Sequence, residues 1–226
     1  MARERSAKPL FTGSNPVAAS NKNQGVRHCC LTPFSFQCIT DPFFIAIFAF
    51  REYRKCMILK PHDIYVLLKL VSLGEFHWTY AGLSDSLFMS LSEVHAAIKR
   101  ALVARLYDDL RRMPIRKALE EYLIHGVKYA YPPDRGGLTR GIPTSYAAPP
   151  LNQMVSSSDD LPPVWPDPEG NVRGIEFSPL HKSAPKAAAV DHKLYELLAL
   201  VDAIRDGRAR ERDLAVREIQ KRLQHI

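Results

Sequence analysis

Residues 90–104 carry side chains whose types and spacing suit contact with nucleic acid. A helix over this stretch would place Ser92, His95 and Lys99 on one side, because three- and four-residue spacings fall on one helical face. Small polar side chains can approach base edges in a major groove, whereas cations approach the phosphates. Five further candidate contacts lie at the ends of this helix and just beyond it: Ser90, Arg100, Arg105, Arg111 and Arg112. The pattern predicts a helix that reads double-stranded DNA.

The candidate helix is the second of a closely spaced pair. Ser90 and Glu93 have the spacing of a capping box, which predicts that a helix begins at this point. Tyr80, Leu83 and Leu87 share one face before it, and apolar residues recur at helical spacing after it: Val94, Ala97, Ile98, Ala101 and Leu102. The turn of about three residues forces the helices to cross steeply, as in a helix-turn-helix.

Short amphipathic helix pairs also occur in bundles that never touch nucleic acid, so the surroundings matter. An earlier helix is expected to begin near Pro61 and end before Gly74, with Ile64, Leu67, Leu68 and Val71 on its apolar face. Residues 99–117 contain seven lysines and arginines against two acidic residues, Asp108 and Asp109. Both features favour DNA binding over a plain bundle.

Residues 57–131 resemble the winged helix-turn-helix regulators of bacteria, of the MarR-like kind. The matching apolar and capping positions are Leu83, Leu87, Met89, Ser90 and Val94. Two positions depart from the pattern, since Phe88 stands where glycine is frequent and Ser84 where alanine is usual. A bulky residue is costly if the turn requires a positive φ. The resemblance implies a cytoplasmic, repressor-like homodimer, with a short wing hairpin within 106–113.

The chain beyond the helix pair divides into three stretches. A fourth helix is expected from Pro114 to about Tyr131, interrupted near His125 and Gly126. Residues 132–186 hold eleven of the seventeen prolines and predict a turn-rich, extended segment with one short strand at 172–177. Trp165 there is either an anchor buried in its own domain or part of a polyproline ligand. Two glycine-containing triplets, 135–137 and 139–141, resemble a phosphate-cradling turn, but the sequence contains neither a GxGxxG nor a Walker pattern.

Residues 187–226 predict a C-terminal helical hairpin. The first helix should start at Asp191 and end at Gly207, and the second should start near Ala209. The first helix carries an apolar stripe of Leu194, Leu197, Leu198, Val201 and Ile204. This stripe could form a dimer interface, or it could pack on its own domain. The arginines of the second helix could contact phosphates, or they could form a solvated face.

Residues 1–56 differ from the rest and are expected to be a non-native or disordered extension. They contain all four cysteines and seven of the ten phenylalanines, without a sustained helical or strand period. Residues 13–16 read Gly-Ser-Asn-Pro, which one frame of the TΨC arm of a tRNA gene encodes, so Met57 is the expected start. The alternative is a genuine tail that contains this tetrapeptide by chance. The apolar run 43–50 is far shorter than the ~20 residues of a membrane span.

Composition adds little support for other functions. The net charge is +7, but residues 1–56 contribute eight cations against three acidic residues, so basicity elsewhere is local. We find no nucleophile–histidine grouping, cofactor motif or metal-ligand spacing, and expect no enzyme, cofactor, metal site or membrane partner. The expected fold is mainly α: a winged helix-turn-helix domain, a Pro-rich wrapping segment and a helical hairpin. The expected function is sequence-specific transcriptional regulation. The alternative is a protein-interaction module, such as an antitoxin-like partner of a protein encoded by an adjacent gene.

Overall fold

A computed structural model describes residues 58–155 and 161–224 of the chain. These residues belong to one compact unit that is mainly helical and contains two small sheets. The predictions made for residues 1–56, including the expected start at Met57, lie outside the described residues.

The helices and strands follow one another in a simple order. Three helices, α1 Pro61–Leu73, α2 Tyr80–Leu87 and α3 Leu91–Val103, precede a hairpin of β1 Tyr107–Asp108 and β2 Met113–Pro114. Helix α4 Arg116–Glu121 continues through a π-helical turn, Tyr122–Gly126, into α5 Val127–Ala130. Strands β3 Arg135–Pro143, β4 Pro163–Pro166 and β5 Val172–Phe177 come next, and two 3₁₀ turns lie between β3 and β4. Helices α6 Ala184–Val190, α7 His192–Asp206 and α8 Ala209–Gln224 complete the fold.

The helix pair α2–α3 forms where the apolar pattern predicted it. Helix α1 begins at Pro61 and ends before Gly74, as predicted. The expected stripe residues of α2 and α3 are buried, except for Leu102 and for Tyr80, which is only partly buried. Ser90 and Glu93 form the predicted capping box. One member of the predicted stripe is wrong: Leu102 is 41% exposed, because the buried face of α3 ends at Ala101.

The turn between α2 and α3 has the backbone conformation that usually favours glycine. Phe88 adopts φ 52° and ψ 44°, in the left-handed region, and its side chain remains exposed. Hydrogen bonds hold the turn: the Phe88 amide donates to the Asp85 carbonyl, and the Ser84 hydroxyl donates to the Met89 carbonyl (2.6 Å). Phe88 and Ser84, the two positions that depart from the winged helix-turn-helix pattern, therefore belong to a turn that hydrogen bonds stabilise, and Ser84 donates one of these bonds.

The hairpin β1–β2 lies at the predicted position and is as short as predicted. Tyr107 pairs with Pro114 and Asp108 pairs with Met113. The Asp108 carboxylate accepts the Leu110 amide (2.9 Å) and closes the tip. Pro114 belongs to β2, so the prediction that it opens the next helix is wrong by two residues. The π turn contains His125 and Gly126, where the interruption was predicted.

Strands β3, β4 and β5 form a three-stranded closed sheet in which every strand pairs with the other two. Strand β3 is antiparallel to both β4 and β5, and β4 and β5 are parallel. Such close packing requires glycine: a Cβ on Gly141 would lie 1.8 Å from the Trp165 carbonyl oxygen. The two glycine-containing triplets, which resemble a phosphate-cradling turn in sequence, both belong to strand β3. The strand at Val172–Phe177 is confirmed, and β3 and β4 were not predicted.

Helix α7 is the centre of the core. It is buried on nearly every side and carries the whole stripe that was considered for dimerisation. A dimer through this stripe would require α7 to leave its own core, so the interpretation as intramolecular packing is confirmed. Asp191 caps α7 by accepting the Leu194 amide (3.1 Å). Gly207 ends α7 as predicted, although with φ −70° rather than a left-handed conformation.

A fully buried carboxylate joins α7 to the closed sheet. Asp202 accepts hydrogen bonds from the Thr144 hydroxyl, the Trp165 indole and the Arg205 guanidinium, at 2.8, 2.8 and 2.7 Å. Burial raises the pKa of Asp202, and these three donors oppose that shift. Trp165 is 1% exposed, so it is the predicted buried anchor, and the polyproline-ligand alternative is wrong.

Candidate nucleic-acid interface

The outer face of α3 presents three of the predicted contacts to solvent. Ser92, His95 and Lys99 are all exposed along this helix, in the predicted order. Ser90 is also exposed, but its hydroxyl is engaged at the helix N-terminus: it lies 2.7 Å from a Glu93 carboxylate oxygen and 3.3 Å from the Glu93 amide. Hydrogen bonds from Ser90 lower the pKa of Glu93, so a carboxylate stands at the entry of α3. Ser90 therefore acts as a helix cap.

Arg100 is not on this face, and the prediction that it contacts the DNA backbone is wrong. The residue is 7% exposed and points into the protein. Its guanidinium forms two hydrogen bonds with the Asp63 carboxylate, of 2.8 and 2.6 Å. A bidentate arginine–carboxylate pair is strong in a buried setting, and a guanidinium held in this way inside the protein does not reach a phosphate at the surface. Arg100 therefore ties α3 to α1.

Two histidines adjoin this ion pair. The Arg100 guanidinium also lies 2.8 Å from the Nε2 atom of His62. Because arginine can only donate, His62 Nε2 must accept, and the ring is neutral. The ring of His181 lies 6.0 Å from that of His62. Burial lowers the pKa of both histidines; the Arg100 and Lys60 charges lower that of His62 further, and Asp63 opposes them.

The two histidines predict a loss of stability in acid. A histidine whose pKa is lower in the folded state binds fewer protons there, so stability falls as pH drops below about 6.5, the unfolded value. We expect the free energy of unfolding in urea to decrease between pH 7 and pH 5, and His62→Gln to decrease less steeply. His77→Gln is the control, because His77 is exposed on the α1–α2 connection. Equal slopes for His62→Gln and the unmodified protein would contradict the prediction.

An aromatic clamp, formed by Trp78, Tyr80, His95 and Arg112, connects α3 to the hairpin. The Arg112 guanidinium lies 4.5 Å from the centre of the Trp78 ring. The Trp78 indole donates to the Arg112 carbonyl (2.9 Å), and the Arg112 guanidinium donates to the Trp78 carbonyl (3.3 Å). Tyr80 packs edge-on against Trp78, and its other contact is a stacked His95 ring 3.6 Å away. The clamp holds the hairpin against α2, and the stacked Tyr80 ring covers one face of the exposed His95 ring.

The remaining predicted cations are exposed at the hairpin and at the end of α3. Arg105 follows α3, and Arg111 lies near the hairpin tip with only a 3.8 Å contact to Asp108. Arg111 also lines a concavity of about 570 Å³ at the hairpin base, together with Arg116 and Lys117. Lys99, Arg105, Arg116 and Lys117 form no ion pair within the described ranges 58–155 and 161–224. Their charges are therefore available to an anionic partner.

Sequence reasoning did not assign four residues of the clamp and the hairpin base to the site: Trp78, Tyr80, Arg116 and Lys117. Arg116 and Lys117 were counted only as charge, although the concavity joins them to Arg111. Trp78 and Arg112 are 34 positions apart, so no local pattern indicates their contact. Tyr80 was assigned to the apolar stripe, and its stacking on His95 also joins distant positions.

Comparisons with family models, curated proteins and solved structures found no match for this chain. Within residues 58–155 and 161–224, no helix is long and apolar enough to cross a membrane. The same residues contain no group of three or more His, Cys, Asp or Glu side chains arranged to hold a metal ion. All four cysteines fall outside these ranges.

Proposed function

We propose that the chain is a sequence-specific DNA-binding transcriptional regulator of the winged helix-turn-helix kind. In this proposal α3 enters the major groove and the hairpin β1–β2 acts as a short wing. The observation that carries it is the solvent-facing row of Ser92, His95 and Lys99 on α3. Further unpaired cations follow along the chain: Arg105 after α3, and Arg116 and Lys117 at the hairpin base.

The geometry suggests separate roles for these residues. Ser92 and His95 lie near the N-terminal half of α3, the part of a recognition helix that contacts base edges. Lys99 lies one turn further on, where a phosphate contact is expected. Arg111, Arg116 and Lys117 would bind the flanking backbone, where cations add affinity without reading sequence. Arg112 would hold the wing in place through Trp78 rather than contact a phosphate itself.

A repressor-like regulator of this kind usually binds as a homodimer on a two-fold operator. A dimer of this chain would have to use a surface other than the α7 stripe, which is buried in the chain's own core.

The proposal predicts different effects for the residues of α3. Lys99→Ala should weaken binding to all sequences and reduce the slope of log affinity against log salt by about one unit. Ser92→Ala and His95→Ala should each change the preferred sequence, at a cost of about 1–3 kcal/mol on the best site. The measurement is fluorescence anisotropy with DNA from upstream of the chain's own gene, at two salt concentrations.

The matched control is Lys186→Ala, since Lys186 is an exposed lysine on α6. It should bind DNA like the unmodified protein. Unchanged DNA binding in all three α3 variants would show that α3 does not contact DNA and would overturn the proposal.

A second candidate function is a protein-interaction module, such as the antitoxin-like partner of a protein encoded by a neighbouring gene. The observation that favours it is apolar exposure around the same surface: Leu91, Leu102 and Val103 on α3, and Leu110, which is 97% exposed at the hairpin tip. This candidate predicts no binding to any upstream fragment. It also predicts a complex with the neighbouring gene's product that Leu110→Ser weakens.

A further inference from the structure

One cavity lies away from α3, between the end of α1, the first turns of α7 and the last turn of α8. Its volume is about 740 Å³, within the range of small-molecule sites. Val71, Leu73 and Leu197 supply an apolar lining, and Val71 and Leu197 are themselves buried. The cavity therefore offers an apolar wall of a size that suits a small organic ligand.

Phe76 makes the cavity unusual. Its ring lines the cavity and yet is 76% exposed to solvent. Large exposed apolar rings beside an apolar concavity are typical of ligand sites, because a ligand that covers the ring removes its surface from water. The apolar part of a ligand is therefore expected to pack between Phe76 and the wall formed by Val71, Leu73 and Leu197.

The charged rim indicates what the polar part of that ligand should be. Most of the rim charges are already paired: Arg222 bridges Glu196 and Glu218 at 2.7 and 2.6 Å, and Lys221 binds Glu218 at 2.7 Å. Lys193 and Glu75 also line the cavity, are exposed, and form no ion pair with any described residue. One ammonium group and one carboxylate are left for a ligand.

We propose that this cavity binds a zwitterionic α-amino acid with an apolar side chain. The ligand's carboxylate pairs with Lys193, its ammonium group pairs with Glu75, and its side chain covers Phe76. A simple carboxylic acid would pair with Lys193, but it would add a second negative charge to the rim that carries Glu75. A simple amine would pair with Glu75, but it would add a second positive charge to the rim that carries Lys193. The proposal does not depend on DNA binding.

Three related probes test the charge requirement: L-phenylalanine, 3-phenylpropionate and 2-phenylethylamine share an apolar ring and differ in the charges they carry. In isothermal titration calorimetry of the full chain, L-phenylalanine should bind at least threefold more tightly than either analogue. No binding of L-phenylalanine would overturn the proposal. Equal or tighter binding of an analogue would overturn the zwitterion assignment.

Variants locate the site. Phe76→Ala, Lys193→Ala and Glu75→Gln should each weaken L-phenylalanine binding by about threefold or more. Two matched controls, Phe88→Ala and Lys186→Ala, remove an exposed ring and an exposed ammonium group elsewhere and should leave binding unchanged. Circular dichroism checks that all five variants remain folded. If the controls weaken binding as much as the cavity variants do, the ligand binds elsewhere and the proposal fails.

Discussion

Replacing Asp202 by alanine is expected to lower the free energy of unfolding by about 3–5 kcal/mol, the cost of removing one member of a buried ion pair. The change leaves the Arg205 guanidinium without its carboxylate, with only 3% of the Arg205 side chain exposed. It also removes the acceptor of the Thr144 hydroxyl and the Trp165 indole. The closed sheet would lose its fully buried hydrogen bond to α7, the one from the Trp165 indole.

Urea unfolding followed by circular dichroism measures this loss. Asp202→Asn keeps the size of the side chain but not its charge, and should lose most of the same stability. Asp206→Ala is the control on the same helix, because Asp206 pairs with Arg135 at the surface. That pair should contribute less than about 1 kcal/mol. A loss of less than about 1 kcal/mol for Asp202→Ala, as expected for the surface control, would contradict the prediction.

Replacing Asp63 by alanine should produce a comparable loss, again about 3–5 kcal/mol, because Arg100 would remain buried without a counter-charge. Arg100→Ala should also destabilise strongly, since it leaves the Asp63 carboxylate buried and unpaired. The double variant should lose less than the sum of the two single losses, because the second change removes the group that the first left uncompensated.

Lys99→Ala is the matched control for Arg100→Ala, because it removes the exposed cation next along α3. Its stability should stay within about 0.5 kcal/mol of the unmodified protein, whereas the proposed function predicts a lower DNA affinity. A comparison of Arg100→Ala with Lys99→Ala therefore separates an effect on stability from an effect on DNA affinity. If Arg100→Ala kept full stability but no longer bound DNA, the result would support the phosphate contact that the sequence predicted for Arg100.

The helical part of the fold could be predicted from sequence because its determinants are local. Helices α1, α2 and α3 follow from the 3.6-residue period, the proline at the start of α1 and the Ser90–Glu93 capping box. The cap at Asp191 and the stop at Gly207 bound α7 in the same way. The exposed row of Ser92, His95 and Lys99 also follows, since helical spacing decides which residues share a face.

The closed sheet could not be predicted because its determinants are contacts between distant residues. Gly141 and Gly174 resemble turn residues in sequence, but their missing Cβ atoms let neighbouring strand backbones approach. The proline-rich composition of 132–186 concealed β3, whose outward face is mostly exposed and gives no apolar alternation. Arg100 was misassigned for a related reason: its partner Asp63 lies 37 positions earlier.

Hydrogen bonds join the first two helices of the fold to the residues around α6. The helix pair α2–α3 is not packed as an independent module, because it and α1 contact the C-terminal helices. Lys69 on α1 bonds to Asp191 (2.7 Å), and the Leu87 carbonyl at the end of α2 accepts the Ser183 hydroxyl (2.6 Å). A fragment ending near residue 131 would expose the face of α1 that packs on α7. The surface that we propose to read DNA is therefore supported by the C-terminal helices, and we expect the helix pair not to fold as a separate fragment.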